Sequence, residues 1–399
     1  MRQPLPPASP RRTRPSPPVH RGALARLAAL GLALAPALPT VAAELPTRAE
    51  ARVVNDRTVG IVFHYEDVYQ RMIADMAEHF VDDGVRLVPI IGVNHVQTVY
   101  DMLYMHGVDL GIVHSDVLED MARTQGYDGI ERRINALFEL FGEKIAVIAG
   151  EEYGSLQDLA GRKVNFRTPG KGSDVTATIL FDTLGIDVEP TRVADKLEAL
   201  EQVKSGEIAA MVYLIEEPVE AFTSLSPADG VRLLALPREE ALLEHYREAR
   251  LTEEDFPELI KGEGAVMTLE VPVIVAAYNW PRSETWRYEK EHRFVEALLA
   301  DLEALRTGPS AERWASASVV DAVPGVPRLA MVDEVVAERE ALERRAAEEA
   351  TAARTAEIRA EQEALMTRLS ARLESGAGDP DELVEMEKLL ERMQTILEE

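Results

Sequence analysis

A glycine-containing loop with hydroxyl side chains is the clearest candidate for a binding site in this sequence. The segment Thr168–Ala177 reads TPGKGSDVTA and follows a predicted strand. Gly172 would leave the N–H groups at the start of the next helix accessible, with the hydroxyls of Ser173 and Thr176 beside them. Such a helix end attracts a carboxylate or a phosphate, and Lys171 would strengthen the attraction. An ordinary solvated helix cap is the alternative, and the spacing of a phosphate-binding P-loop is absent.

Polar residues also follow other predicted strands. Ser115 comes after an apolar strand and His114, at the carboxyl end where α/β proteins bind ligands. Tyr213 and Glu216 occupy the matching position later in the chain. Glu216 is suited to an ammonium group, or is simply a solvated charge near a hinge. His114, Ser115 and Asp116 are adjacent and lack a nucleophile-elbow pattern, so we assign them no catalytic role.

A third polar group lies where the first predicted strand ends. His64 and Tyr65, followed by Glu66 and Asp67, could contact a hydrogen-bonding ligand, and Asn94 has the corresponding place after the second strand. A metal ion held by His64 and the acids, or a polar helix start, are alternatives. We recognise no convergent acid–base or metal set. The sequence therefore predicts a binding protein with no catalytic centre, cofactor or resident metal.

Strands and helices alternate in the part of the chain that must position these residues. This alternation is typical of an α/β fold with parallel sheets. The predicted strands are Thr58–Phe63, Val85–Ile91, Leu110–Val113, Lys163–Phe166 and Ala209–Tyr213. The predicted helices between them are Asp67–Val81, Val96–Met105, Asp174–Leu184 and Lys196–Lys204.

An internal similarity predicts two related lobes. VQTVYDMLYMHGVDLGIV and DKLEALEQVKSGEIAAMV both read as a helix, a glycine stop and a buried strand. Glu143–Gly150 and Val271–Tyr278 are apolar, β-rich segments that we interpret as crossings between the lobes. We expect lobe one to comprise residues 44–144 with 270–329, and lobe two residues 145–269. A hinge would join the lobes, and the cleft between them would bind the ligand.

Residues 330–399 differ from the rest in composition. They are rich in Ala, Glu, Arg and Leu and predict a helical hairpin that turns within Glu374–Glu382. Apolar residues spaced by three and four predict a coiled-coil seam; they are Ile358, Leu365 and Leu369 in the first arm and Leu383, Met386, Leu390, Met393 and Leu397 in the second. We expect this extension to mediate self-association or to contact an envelope partner, with packing on lobe one as the alternative.

Composition excludes several classes of protein. The chain has 399 residues, and its 46% hydrophobic and 28% charged residues are typical of a soluble globular protein. It carries 43 basic and 70 acidic residues, which disfavours nucleic acid as a partner. It has no cysteine, so disulfides, thiolate zinc sites and thiol nucleophiles are excluded.

Residues 1–43 have the pattern of a secretory signal. Arginines without any acidic residue precede the apolar run LARLAALGLALAPAL, and small residues follow it. We expect a signal peptide that is cleaved after Ala43 and a periplasmic mature protein. A membrane anchor is the alternative, but Arg26 interrupts a run shorter than the ~20 apolar residues of a spanning helix. The pair Arg11-Arg12 leaves both Sec and twin-arginine export open.

Five motifs together resemble the TAXI family of solute receptors of TRAP transporters. They are GVDLGIVHSD at 107–116, TPGKGSDVTA at 168–177, GEIAAMVY at 206–213, VRLLAL at 231–236 and EVPVIVAA at 270–277. The resemblance covers about residues 55–325. It implies a type II periplasmic binding protein whose two lobes close on a small organic acid or amino acid and deliver it to a membrane permease. It also implies that Ser115 contacts the ligand.

The first two loops depart from this family. The family has a glycine- and threonine-rich first loop, whereas this chain has bulky polar residues at Phe63–Tyr69, and Gly92-Val93-Asn94 replaces the family's second loop. These changes put the family's usual ligands in doubt. A periplasmic sensor or adaptor that signals through the C-terminal extension is therefore the alternative function.

Overall fold

A ten-stranded sheet runs through the described part of the protein. The computed structural model describes residues 47–215, 219–262, 264–376 and 379–398. The strands are β1 (Thr58–His64), β2 (Arg86–Gly92), β3 (Leu110–His114), β4 (Ile134–Gly150), β5 (Lys163–Asn165), β6 (Glu189–Thr191), β7 (Ala210–Ile215), β8 (Val231–Leu234), β9 (Arg247–Leu251) and β10 (Val266–Tyr278). Their order is β2-β1-β3-β10-β4-β7-β5-β6, with β8 paired to β4 and β9 to β10.

Helices connect most of these strands. They are α1 (Arg48–Asp56), α2 (Asp67–His79), α3 (His95–Tyr104), α4 (Val117–Gln125), α5 (Gly172–Thr183), α6 (Lys196–Lys204), α7 (Glu220–Thr223), α8 (Glu240–Leu243), α9 (Thr285–Thr307), α10 (Ala311–Trp314), α11 (Ala330–Glu374) and α12 (Pro380–Glu398). The strands and the later helices all belong to one compact unit, Arg52–Glu399. The predicted signal peptide at 1–43 lies outside the described residues. None of the helices in the described ranges is long and apolar enough to cross a membrane.

The sheet has two similar halves. In the first, β1 lies between β2 and β3 and is parallel to both. In the second, β5 lies between β6 and β7 and is again parallel to both. Each half therefore has the strand order second, first, third, which explains the internal similarity of the sequence.

Two long strands join the halves. β10 pairs antiparallel with β4 from Glu270 and Lys144 to Tyr278 and Ile134. Beyond this stretch β4 continues into the second half, where it pairs with β7. The predicted crossings at 143–150 and 271–278 are thus parts of longer strands that pass from the first half of the sheet to the second.

Buried apolar side chains lie on both faces of the sheet. Phe63, Phe294 and Trp314 belong to one cluster, in which α2, α9 and α10 cover the first half. Leu200 and Phe222 belong to another, in which α6 and α7 cover the second half. A third cluster contains residues of both halves, and within it α4 packs against α5. Apolar packing is therefore continuous between the two lobes.

The C-terminal extension is a helical hairpin. α12 packs against α11, as predicted, but Ile358 and Leu365 are exposed. The half-buried positions toward the end of α11 are instead Gln362, Met366, Leu369, Ser370 and Leu373. The predicted first-arm stripe is wrong except for Leu369, because the face that meets α12 follows this neighbouring row of positions. The side chains of Met386, Leu390, Met393 and Leu397 are not described.

Candidate functional site

Three histidines meet at one edge of the first half of the sheet. His64 ends β1, His114 ends β3, and His95 begins α3 after β2. The carboxyl ends of parallel strands meet at the same edge, so the topology brings these residues together. The ring centroids of His64 and His95 are 4.2 Å apart, and those of His95 and His114 are 4.1 Å apart. All three side chains are buried, and we call them the histidine cluster.

His114 is paired with a buried carboxylate. Its Nε2 lies 3.2 Å from Oε2 of Glu143 on β4, and the hydroxyl of Tyr69 donates to Oε1 of Glu143 at 3.0 Å. Burial lowers the pKa of His114, but the charge and hydrogen bonding of Glu143 outweigh burial, so the pKa is raised overall. The contact with this fully buried acid thus favours the charged form of His114.

The other two histidines favour the neutral form. Burial lowers the pKa of His64, although Glu66, whose Oε1 lies 3.1 Å from its Nε2, opposes the shift. Burial and then the neighbouring charge of His114 lower the pKa of His95 much further. The charged form is thus favoured on His114 and the neutral form on the other two rings.

Several buried polar atoms here lack a hydrogen-bond partner among the described residues. They are Nδ1 of His64, Nε2 of His95, Nδ1 of His114, Oγ of Ser115, Oδ1 of Asp116 and Oε2 of Glu143, the last of which lies within ion-pair distance of His114. Buried polar groups in folded proteins almost always have partners, so a concentration of unpaired ones marks a place where another polar molecule can bind.

The glycine loop of lobe two closes against the cluster. A Cβ atom added to Gly172 would lie 2.2 Å from Cε1 of His114, so only a glycine permits this approach. Asn94 caps α3, and its Nδ2 donates to the carbonyl of Pro169 at 3.2 Å. Nζ of Lys171 lies 3.9 Å from Oε1 of Glu66. Residues predicted to bind the ligand in lobe one and in lobe two therefore lie next to each other.

Asp116 provides a second connection between the lobes. Its Oδ2 accepts hydrogen bonds from Thr176 at 2.7 Å and from Tyr246 at 2.9 Å. Burial raises the pKa of Asp116, although His114 and the two hydroxyl donors oppose the shift. Ser173 is buried in the same helix turn as Gly172. The start of α5 is therefore fixed to lobe one by a buried carboxyl group.

Two predicted residues are not brought to the cluster. Tyr65 is 55% exposed, and its hydroxyl donates to Asp67. Tyr213 stacks on Phe222 in the core of lobe two, with ring centroids 4.0 Å apart. The prediction placed Tyr213 at the end of its strand, whereas β7 continues to Ile215 and the side chain of Tyr213 packs in the core. Glu216 lies outside the described residues.

The sequence argument did not nominate four of the residues that form or support this site. They are Tyr69, His95, His114 and Glu143. Glu143 could have been predicted from the sequence, because it adjoins the apolar run of a predicted strand. A carboxylate buried there needs a charged or hydrogen-bonding partner. Tyr69 and His95 lie within ordinary helical patterns. Among the described residues, no group of three or more His, Asp or Glu side chains is arranged to hold a metal ion.

The two halves and the two long strands that join them give the described part of the chain a mixed α/β architecture with two lobes, as predicted. Residues 97–256 match the model of the NMT1-like family. That segment contains His114, the glycine loop and the strands of lobe two. The match is to this broader family and does not by itself distinguish TAXI receptors.

Solved structures of similar fold include several binding proteins. A protein of Xanthomonas citri bound to ATP has a TM-score of 0.45 at 12% identity, with 70% of this chain and 98% of that one covered. A TctC solute-binding protein from Polaromonas has a TM-score of 0.38 at 12% identity, covering 65% and 87%. An ancestral arginine-binding protein bound to arginine has a TM-score of 0.38 at 14% identity, covering 65% and 96%.

Proposed function

We propose that the protein is a periplasmic solute-binding receptor that captures a small carboxylate-bearing metabolite and delivers it to a TRAP-type membrane permease. The ligand would be an organic acid or an amino acid. The observation that carries the proposal is the set of unpaired buried atoms on His64, His95, His114 and Ser115, which lies between the lobes beside Gly172.

The charges around these atoms favour an acidic ligand. The raised pKa of His114 favours its charged form, and the start of α5 carries the positive end of a helix dipole. Lys171 adds a cation at the rim of the cleft. Ser115 offers a hydroxyl that can donate to a carboxylate oxygen. Together these groups would compensate a carboxylate without any metal ion or covalent chemistry.

Lobe closure would be the working step. The contacts of Asn94 with Pro169 and of Asp116 with Thr176 join the lobes directly. A ligand that also contacts both lobes would shift the population toward this closed form, which a permease can recognise. The TRAP-type permease is suggested by the resemblance of the five motifs to TAXI receptors.

The test is to identify the bound molecule. Protein exported to the periplasm and purified without added ligand should release a small carboxylate when denatured, as measured by mass spectrometry. Calorimetry with that compound should show binding by the refolded protein, and Ser115→Ala should weaken it by about tenfold, because one charge-assisted hydrogen bond is lost. Release of no acid, or calorimetric binding that Ser115→Ala leaves unchanged, contradicts the proposed site.

A second candidate function is favoured by α11. This helix has 45 residues, and most of those between Glu338 and Glu361 are exposed. Such an extension suits a periplasmic ligand sensor or adaptor that signals through its C-terminal helices. An adjacent permease gene would favour transport, whereas an adjacent histidine kinase gene would favour sensing.

Truncation should separate the lobes from the extension. Met331, Val332 and Val335 of α11 are buried in the lobe-one core, so the independent part of the extension begins after them. Removing residues 339–399 should preserve ligand affinity and thermal stability while lowering self-association, as measured by light scattering.

Removing residues 331–399 is the matched comparison. That deletion should cost at least about 3 kcal/mol in the free energy of unfolding, because it takes three apolar side chains out of the core. Weakened ligand binding in the shorter deletion would show that the extension belongs to the binding unit.

A further inference from the structure

The histidine cluster is an unusual place for positive charge. Three buried imidazoles lie in a row, each in contact with the next, with ring centroids 4.2 and 4.1 Å apart. Two imidazolium ions at such a separation repel each other strongly in a buried site, where water screens them little. Without another negative charge, the row therefore carries fewer positive charges than it has rings.

The surrounding elements determine which ring is charged. The titratable and charged groups that face the cluster are Glu66 from the loop after β1, Tyr69 from α2, Asp116 at the start of α4, Glu143 from β4 and Lys171 from lobe two. Glu143 is fully buried and directly contacts His114. Its negative charge can therefore compensate one positive charge in the cluster, that of protonated His114.

A second proton has a natural position on His64. Its Nε2 already faces Glu66, and its Nδ1 is buried without a partner among the described residues. An anionic ligand between the lobes would supply the negative charge that a second imidazolium requires. His95 is the least suitable ring for a positive charge, because it lies between His64 and His114 and would contact the charge on either of them.

We propose that the receptor binds its anionic ligand together with a proton, which is taken up by His64 in the histidine cluster. This inference rests on the proposed function and adds a property to it. Uptake of a proton makes the apparent affinity rise as the pH falls, by at most about tenfold per pH unit for one proton. The dependence should cover the pH range between the pKa of His64 in the free protein, which burial lowers, and its higher pKa in the complex.

The test has two parts and uses the full mature chain with succinate as the probe. NMR of the labelled histidine rings of the free protein near neutral pH should show His114 charged and His64 and His95 neutral. Saturating succinate should then shift His64 to the charged form. Calorimetry in buffers of different ionisation enthalpy should show net proton uptake on binding, and the dissociation constant should fall with pH.

Two variants complete the design. His64→Asn should bind succinate with a nearly flat pH dependence. His292→Asn should keep the wild-type slope, because His292 is a half-buried histidine on α9 that pairs with Glu296. Two charged rings in the free protein, no response of the cluster to succinate, or an unchanged slope in His64→Asn would each overturn the proposal. Succinate binding without proton uptake would contradict the coupling to a proton but not the proposed receptor function. Release of a non-acidic compound from the exported protein would instead contradict the proposal that the receptor binds an acid.

Discussion

Replacing Gly172 with valine should weaken ligand binding by about 10- to 100-fold, because crowding a packed contact costs about 1–3 kcal/mol. A Cβ at this position would lie 2.2 Å from Cε1 and 2.5 Å from Nδ1 of His114. The ring cannot move away easily, since it is buried and paired with Glu143. The start of α5 would therefore be pushed away from lobe one, and closure would become less favourable. Calorimetry with the identified ligand measures the effect.

Lys171→Ala is the comparison for this variant. Lys171 is a partly exposed neighbour of Gly172, and its ion pair with Glu66 is long, at 3.9 Å. Losing a partly solvated charge of this kind should cost about 1 kcal/mol or less. Thermal unfolding should show that both variants remain folded. If Gly172→Val bound the ligand as tightly as the wild type, the binding site would have to lie elsewhere.

Glu143→Ala should lower the free energy of unfolding by about 3–5 kcal/mol, as expected when one partner of a buried ion pair is removed. The carboxylate is fully buried, contacts His114 and accepts a hydrogen bond from the hydroxyl of Tyr69. Both partners would lose their compensation, and a cavity would remain in a central strand. Urea unfolding followed by circular dichroism measures the change.

The effect should depend on pH. The pKa of His114 is raised in the folded protein, so its contribution to stability is fully present below its unfolded value and disappears as the pH rises through the folded value. The difference between wild type and Glu143→Ala should therefore shrink above that value. Glu119→Ala is the matched control, since its ion pair with Arg123 is exposed and 3.9 Å long, and it should change stability by less than about 1 kcal/mol. A similarly small effect at Glu143 would exclude a compensating role for this acid.

Much of the fold follows from local patterns. The predicted helix Lys196–Lys204 has the observed bounds, and the predicted strand at Thr58–Phe63 extends by one residue to His64. Apolar periodicity, glycine stops and helix caps depend on neighbours within one or two turns, so they can be recognised in a single sequence. The glycine loop could be predicted for the same reason.

The long central strands could be predicted only in part. The crossing segments were recognised as apolar and β-rich, but β4 and β10 extend well beyond them, over 17 and 13 residues. Their length depends on pairing with each other and with β3, β7 and β9, which are distant in sequence. The outward position assumed for Tyr213 was wrong for a similar reason, because the end of β7 is decided by its pairing with β4.

The sequence by itself determined the α/β class, the two related halves, the helical extension and the loop that begins α5. The tertiary structure alone decided that His64, His95 and His114 form one cluster, that Glu143 compensates it and that Gly172 closes against it. These residues come from β1, α3, β3, β4 and α5, and only the crossing strands and the packing of the lobes bring them together. Their charges depend on burial and on distances of about 3–4 Å, which no local pattern encodes.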